Sequence, residues 1–140
     1  MESWAAEVVE LWKKNRIPLA ERTLQALQQN PHVPVKSYTF EDFIQMVDGT
    51  GAMIAEELEA RGSDVRDTWL NSVVPGILSQ GQPLSALVGQ VTMNAIVIYN
   101  LLVPLASEEH RAKIGSFIQN WYAKFNTDLV AVGLEYAKGG

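Results

Sequence analysis

A chain of 140 residues, 47% of them hydrophobic, is long enough to close one core, and a domain of that size buries about 70% of the surface its unfolded form exposes. The absence of cysteine excludes disulfides, thiolate catalysis, Fe–S clusters and thioether-linked haem or bilin. A formal net charge of −5 argues against nucleic acid as a partner, because phosphate neutralisation needs a basic stripe that this sequence lacks. Residues 1–140 are therefore read as a single domain.

Met1 is followed by Glu2 and by neither a basic nor an apolar leader segment, so no secretory signal is expected, and the lack of cysteine allows a reducing, cytoplasmic location. Ser3 is expected to cap a first helix in which Trp4, Val8, Leu11 and Trp12 recur at helical spacing, ending near Asn15 beside Lys13, Lys14 and Arg16. Pro18 is expected to start a shorter helix with Leu19, Leu24 and Leu27, which must stop before the Pro31-His32-Val33-Pro34 loop. Thr39 is a good N-cap, Glu41 and Asp42 suit the first turn, and Tyr38 is placed to staple onto Phe43. Phe43, Ile44, Val47, Ile54 and Leu58 then line a long third helix ending at Gly62.

Gly49 and Gly51 interrupt that helix, each at a cost of about 1 kcal/mol relative to Ala, and so call for close packing or a kink. An anion-binding nest is the sharper reading, but no strand precedes the glycines and no lysine follows them. From Glu41 to Asp67, eight carboxylates face only Arg61 and Arg66, which reads as a solvated helix face, with a docking surface for a basic partner as the alternative.

Ser63 is expected to cap a fourth helix that Val73, Val74, Pro75 and Gly76 bend or break before Gly81. From Thr68 to Ser107 there is no charged residue and no histidine, and the apolar residues from Pro83 to Val103 surround a helix on nearly every side. Such a helix is buried or membrane-spanning. Gln90, Asn94 and Asn100 would lie unpaired in hydrocarbon, so it is read as the core helix and no membrane span is expected. Pro83 opens it and Pro104 stops it.

Ser107, Glu108 and Glu109 are expected to open the last helix, which runs to about Lys138 with Ile114, Phe117, Ile118, Trp121, Phe125, Leu129, Val132 and Tyr136 along it. About 45 Å of helix exceeds what the body must cover, so its distal stripe of Phe125, Leu129, Val132 and Tyr136 is expected to form a homodimer. The fold class is all-α, with five or six helices and no strand signal.

Catalytic and metal motifs are absent. His32 lies between prolines and His110 in the first turn of the last helix, and neither position suits haem. Neither Glu-x-x-His pairs, His-Glu-x-x-His nor a glycine-flanked nucleophilic serine occurs, so no enzyme activity, metal or cofactor is expected. The polar residues of the apolar helix, Gln90, Thr92, Asn94, Tyr99 and Asn100, have two readings. They bond neighbouring backbone or a dimer mate, or they line a cavity for an apolar ligand with a polar head. In the second case Trp69, Asn94, Tyr99 and Trp121 are the candidate lining residues.

The tryptophan-bearing first helix, the long acidic third helix, the run Leu78-Ser79-Gln80-Gly81-Gln82-Pro83-Leu84-Ser85-Ala86-Leu87 opening the apolar helix, and the long aromatic-bearing last helix span most of the chain. In this arrangement the sequence resembles the N-terminal sensor domains of RsbR-type stressosome proteins. The resemblance implies a globin-like bundle without haem, acting as a dimeric bacterial input domain in stress-response signalling. Its last helix would feed a STAS-type output domain, and the family brings no catalytic residues. A sensor or carrier of a small apolar ligand, such as a fatty acid or a tetrapyrrole, is the alternative.

Overall fold

The computed structural model describes residues 1–30 and 38–139; the predicted 31–34 loop, with His32, lies outside the described residues. Among the described residues the chain is all-helical, without strands. Helices α1 (Ser3–Lys14), α2 (Arg16–Gln28) and α3 (Phe40–Leu58) come first. Then α4 (Asp64–Thr68), a π-helical turn (Trp69–Val73) and α5 (Val74–Ser79) follow without a break in helical backbone angles. The last two, α6 (Leu84–Leu105) and α7 (Arg111–Gly139), bring the total to six helical runs.

Local chemistry explains most of the boundaries. Thr39 forms a full capping box: its Oγ1 accepts the Asp42 N–H at 3.2 Å, and its own N–H donates to Asp42 Oδ2 at 2.7 Å. The Tyr38 and Phe43 rings meet edge-on with centroids 5.8 Å apart, completing the staple. Helix α3 ends at Leu58, in a Schellman turn with Ala60, not Gly62, as its first left-handed residue. There Arg61 N–H donates to Glu56 C=O and Ala60 N–H to Glu57 C=O. Pro83 stands just before α6 as its N-cap, and Pro104 lies inside the final turn instead of stopping the helix ahead of it.

Three serines expected as caps make other bonds instead. Glu2, not Ser3, holds the N-cap position of α1, and Ser3 Oγ lies 3.2 Å from His110 Nε2. Ser63 Oγ donates to Asp67 Oδ2, while the free Val65 N–H at the start of α4 is taken by the buried Glu56 carboxylate at 3.0 Å. Ser107 does not open α7. Its N–H and hydroxyl both donate to Glu7 on α1, and α7 starts four residues later at Arg111.

The α2 helix begins at Arg16, two residues ahead of Pro18, and Arg16 forms a two-pronged pair with Asp48 of α3 at 2.8 and 2.5 Å. Asp48, Glu56 and Glu57 of the acidic stretch tie α3 to other helices, whereas Asp42, Glu59 and Asp67 pair with residues at most four positions away, and Glu41, Asp48, Glu59 and Asp64 are exposed to solvent. Gly51 is a close-approach glycine: a Cβ there would stand 2.6 Å from Trp12 Nε1, which donates to Val47 C=O at 2.8 Å. Gly49 meets nothing within 4 Å.

Helices α6 and α7 pack antiparallel, with Leu84 against Gly133, Asn94 against Tyr122 and Tyr99 against Gly115. On its other side α6 packs on α2, and α3 lies against α1 and α2. Helix α6 is long and apolar enough to cross a membrane by composition, yet Gln90 and Asn94 are buried within the protein. Burial is one-sided, since Thr92, Ile96 and Asn100 form an exposed stripe at four-residue spacing.

Candidate functional site

A cavity of about 330 Å³ lies between α3, the π-helical turn and the paired α6 and α7. Its apolar walls are Met46 and Met53 of α3, Trp69, Ile77, Leu87 and Val91, and Phe125 of α7. Tyr38, Asp42, Gln45, Thr50, Gln90, Asn94 and Tyr122 add polar groups. A mostly apolar pocket of this size with a few placed polar groups suits a small molecule.

Trp69 is the first residue of the π turn. One extra residue in a helical turn shifts every later side chain around the axis, and Pro75, which has no N–H to donate, follows directly. Trp69 packs at 5.5 Å centroid distance on Phe125, which stacks at 5.2 Å on Trp121.

Behind the cavity runs a closed polar chain. Tyr122 hydroxyl donates to Asn94 Oδ1 at 2.7 Å, Asn94 Nδ2 donates to Thr23 Oγ1 at 3.2 Å, and Thr23 donates to Leu19 C=O at 2.8 Å. Burial pushes the Tyr122 phenol well above its usual pKa, so it remains a neutral donor. Gln90 is an exception to this pairing. It is 5% exposed and its Nε2 has no hydrogen-bond partner.

Of the four sequence-level candidates, the fold brings Trp69 and Asn94 to this cavity. Tyr99 lies on the opposite side of α6, in a shallower groove with Ile96, Asn100 and Ala123. Trp121 is in the core, where its indole N–H bonds Glu57. Tyr122 and Thr23 were not among the candidates. The spacing of Gln90 and Asn94, one helical turn apart in an otherwise apolar helix, was the available signal.

The expected interface stripe is likewise divided. Phe125 (4% exposed) and Leu129 (0%) are in the protomer's own core, which leaves them no surface for a partner. Val132 is partly buried against that core and Tyr136 is exposed. Helix α7 stays packed to Gly133, where a Cβ would meet Leu84 at 2.5 Å, so fewer than two turns project. The large apolar residues α7 does expose are Val130, Leu134 and Tyr136.

The remaining charged clusters act as ties. Buried Arg66 donates to Asp128 at 2.7 Å and lies 3.5 Å from Glu57, joining α4 to α7 and α3. Ser107 and His110, the latter 2.8 Å from Glu7 through Nδ1, hold the carboxyl of Glu7 down to about 2. Ser3, His110 and Glu7 stand in the order of a hydrolytic triad, but Ser3 lines neither the main cavity, nor the groove beside Tyr99, nor the pocket between α1 and α3. No group of three or more potential metal ligands occurs among the described residues. No family model, curated protein or solved structure matches the chain.

Proposed function

We propose that this protein is a non-enzymatic sensor domain that binds a small, largely apolar ligand in the cavity and passes its occupancy on through α7. One observation carries the reading: Trp69 of the π turn is at once a cavity wall and a ring neighbour of Phe125 on α7. A ligand that displaces Trp69 must repack Phe125 and the Trp121 ring stacked on it. π turns recur at functional sites because the altered register is costly elsewhere. The resemblance to RsbR-type sensor domains supports the same role. On that reading the bundle is globin-like and the protein is a cytoplasmic homodimer that hands its signal to a STAS-type partner in stress signalling.

The self-association face is the outer side of the α6–α7 pair, where Ile96, Val130 and Leu134 are 48%, 37% and 56% exposed. This face replaces the Phe125 and Leu129 stripe that sequence periodicity suggests. Native mass spectrometry of protein purified from cells tests the ligand, and light scattering at ~100 μM tests the dimer. Bound mass that is lost in a Trp69→Ala variant supports the cavity, and a dimer that Val130→Glu/Leu134→Glu turns into a folded monomer supports the face. A clean apo mass that no added amphiphile changes refutes the sensor reading, and a wild-type monomer at that concentration refutes the dimer.

A further inference from the structure

We infer that the ligand of this cavity carries an uncharged, hydrogen-bonding head, a hydroxyl or a carbonyl, that pairs with the Gln90 amide, and that carboxylates are rejected. The inference rests on the cavity being a ligand site and adds the chemical class.

Three observations lead to it. First, the other buried polar groups on this side of α6 are already matched, since Tyr122, Asn94, Thr23 and the Leu19 carbonyl bond one another in sequence. Gln90 alone among them keeps a buried amide nitrogen without a partner, and it is a wall residue of the cavity. Buried donors without partners are rare because each forfeits the hydrogen bond it had with water. The nitrogen itself is closed to solvent, so a turn of the flexible Gln90 side chain into the cavity is needed for a ligand oxygen to restore it. An amide offers both a donor and an acceptor, so a hydroxyl, which has both, matches it as well as a carbonyl does.

Second, among the described lining residues the one acidic side chain is Asp42, and none is Lys, Arg or His. A carboxylate entering here would lose its hydration, meet no cation and face a like charge. Third, a volume of about 330 Å³ holds roughly ten non-hydrogen atoms at the ~30 Å³ that each water occupies in the liquid. That corresponds to a medium-length chain or a small ring system with one polar end.

The test uses four matched probes, 1-nonanol, 2-nonanone, nonane and sodium nonanoate at pH 7.5, titrated into the full chain and followed by calorimetry. Melting of each variant confirms that it is folded. Nonanol and nonanone should bind at least ~10-fold more tightly than nonanoate. Gln90→Met keeps the side-chain volume and removes the amide, so it should weaken both polar probes about 5- to 10-fold, leave nonane unchanged and melt no lower than wild type. Nonanoate binding as tightly as nonanol, or polar-probe affinity indifferent to Gln90→Met, overturns the inference while leaving the cavity a ligand site. Absence of binding by all four probes overturns both.

Discussion

Asn94→Leu should destabilise the protein in a way that a second substitution partly undoes. Asn94 is 3% exposed and joins two buried partners, accepting from Tyr122 and donating to Thr23. Leucine has the same number and branching of side-chain heavy atoms and is the bulkier, so the change leaves no cavity and the cost lies in the partners. Thr23 keeps its bond to Leu19 C=O and loses only what it accepted, about 0.5–1 kcal/mol. The Tyr122 hydroxyl, 4% exposed as a residue, loses its acceptor altogether, worth about 1–3 kcal/mol. Added apolar burial offsets part of this, so a net loss of about 2 kcal/mol is expected, a fall in Tm of about 6 °C for a domain of this length. Tyr122→Phe alone strands Asn94 Oδ1. The double variant removes both polar ends and should be more stable than the sum of the singles by at least ~1 kcal/mol. Urea denaturation of the four proteins gives the coupling. Additivity within ~0.5 kcal/mol would show that the two side chains do not act as a pair and would refute the polar chain. Asn100→Leu, at an exposed position of the same helix, should change stability by less than ~0.5 kcal/mol.

Gly51→Ala should destabilise by about 1–3 kcal/mol, because its Cβ would overlap the buried Trp12 indole. Gly49→Ala, with open space at the same atom, should stabilise by up to ~1 kcal/mol; the opposite signs are read from paired urea melts. Glu7 has a folded pKa of about 2, below its ordinary 4.5, so its contribution is fully present above about pH 4.5 and disappears as the pH falls towards 2. The stability gap between wild type and Glu7→Gln should therefore be flat near neutrality and shrink across that interval in pH-dependent thermal melts. A gap that is constant down to pH 2 would show that the Ser107 and His110 contacts do not hold the carboxylate. Leu129→Glu should abolish folding, since Leu129 is 0% exposed, whereas Leu134→Glu should retain native helicity by circular dichroism.

The features legible in the sequence are those whose cause lies within a few residues. The Thr39 capping box, the end of α2 ahead of Pro31 and the start of α6 behind Pro83 depend on side chains that act on backbone at most four residues away. Long-range periodicity carries the all-helical class, and the uncharged run from 68 to 107 marks α6 as the packing centre. Tertiary structure decided which of several like residues does what. Asn94 and Asn100 occupy the same apolar helix, yet one is buried against α2 and α7 and the other faces outward, a difference of rotation that depends on where the neighbouring helices lie. Trp69 and Trp121 are equivalent candidates by sequence, yet the packing of α6 and α7 leaves one at the cavity wall and Glu57 bonds the other in the core. Periodicity likewise marks Leu129 as apolar without saying whether its own chain or another covers it. Glu56, Glu7 and Gln90 carry no local signal at all, because what they do is set by residues from distant parts of the chain or, for Gln90, by a cavity that four separate segments enclose.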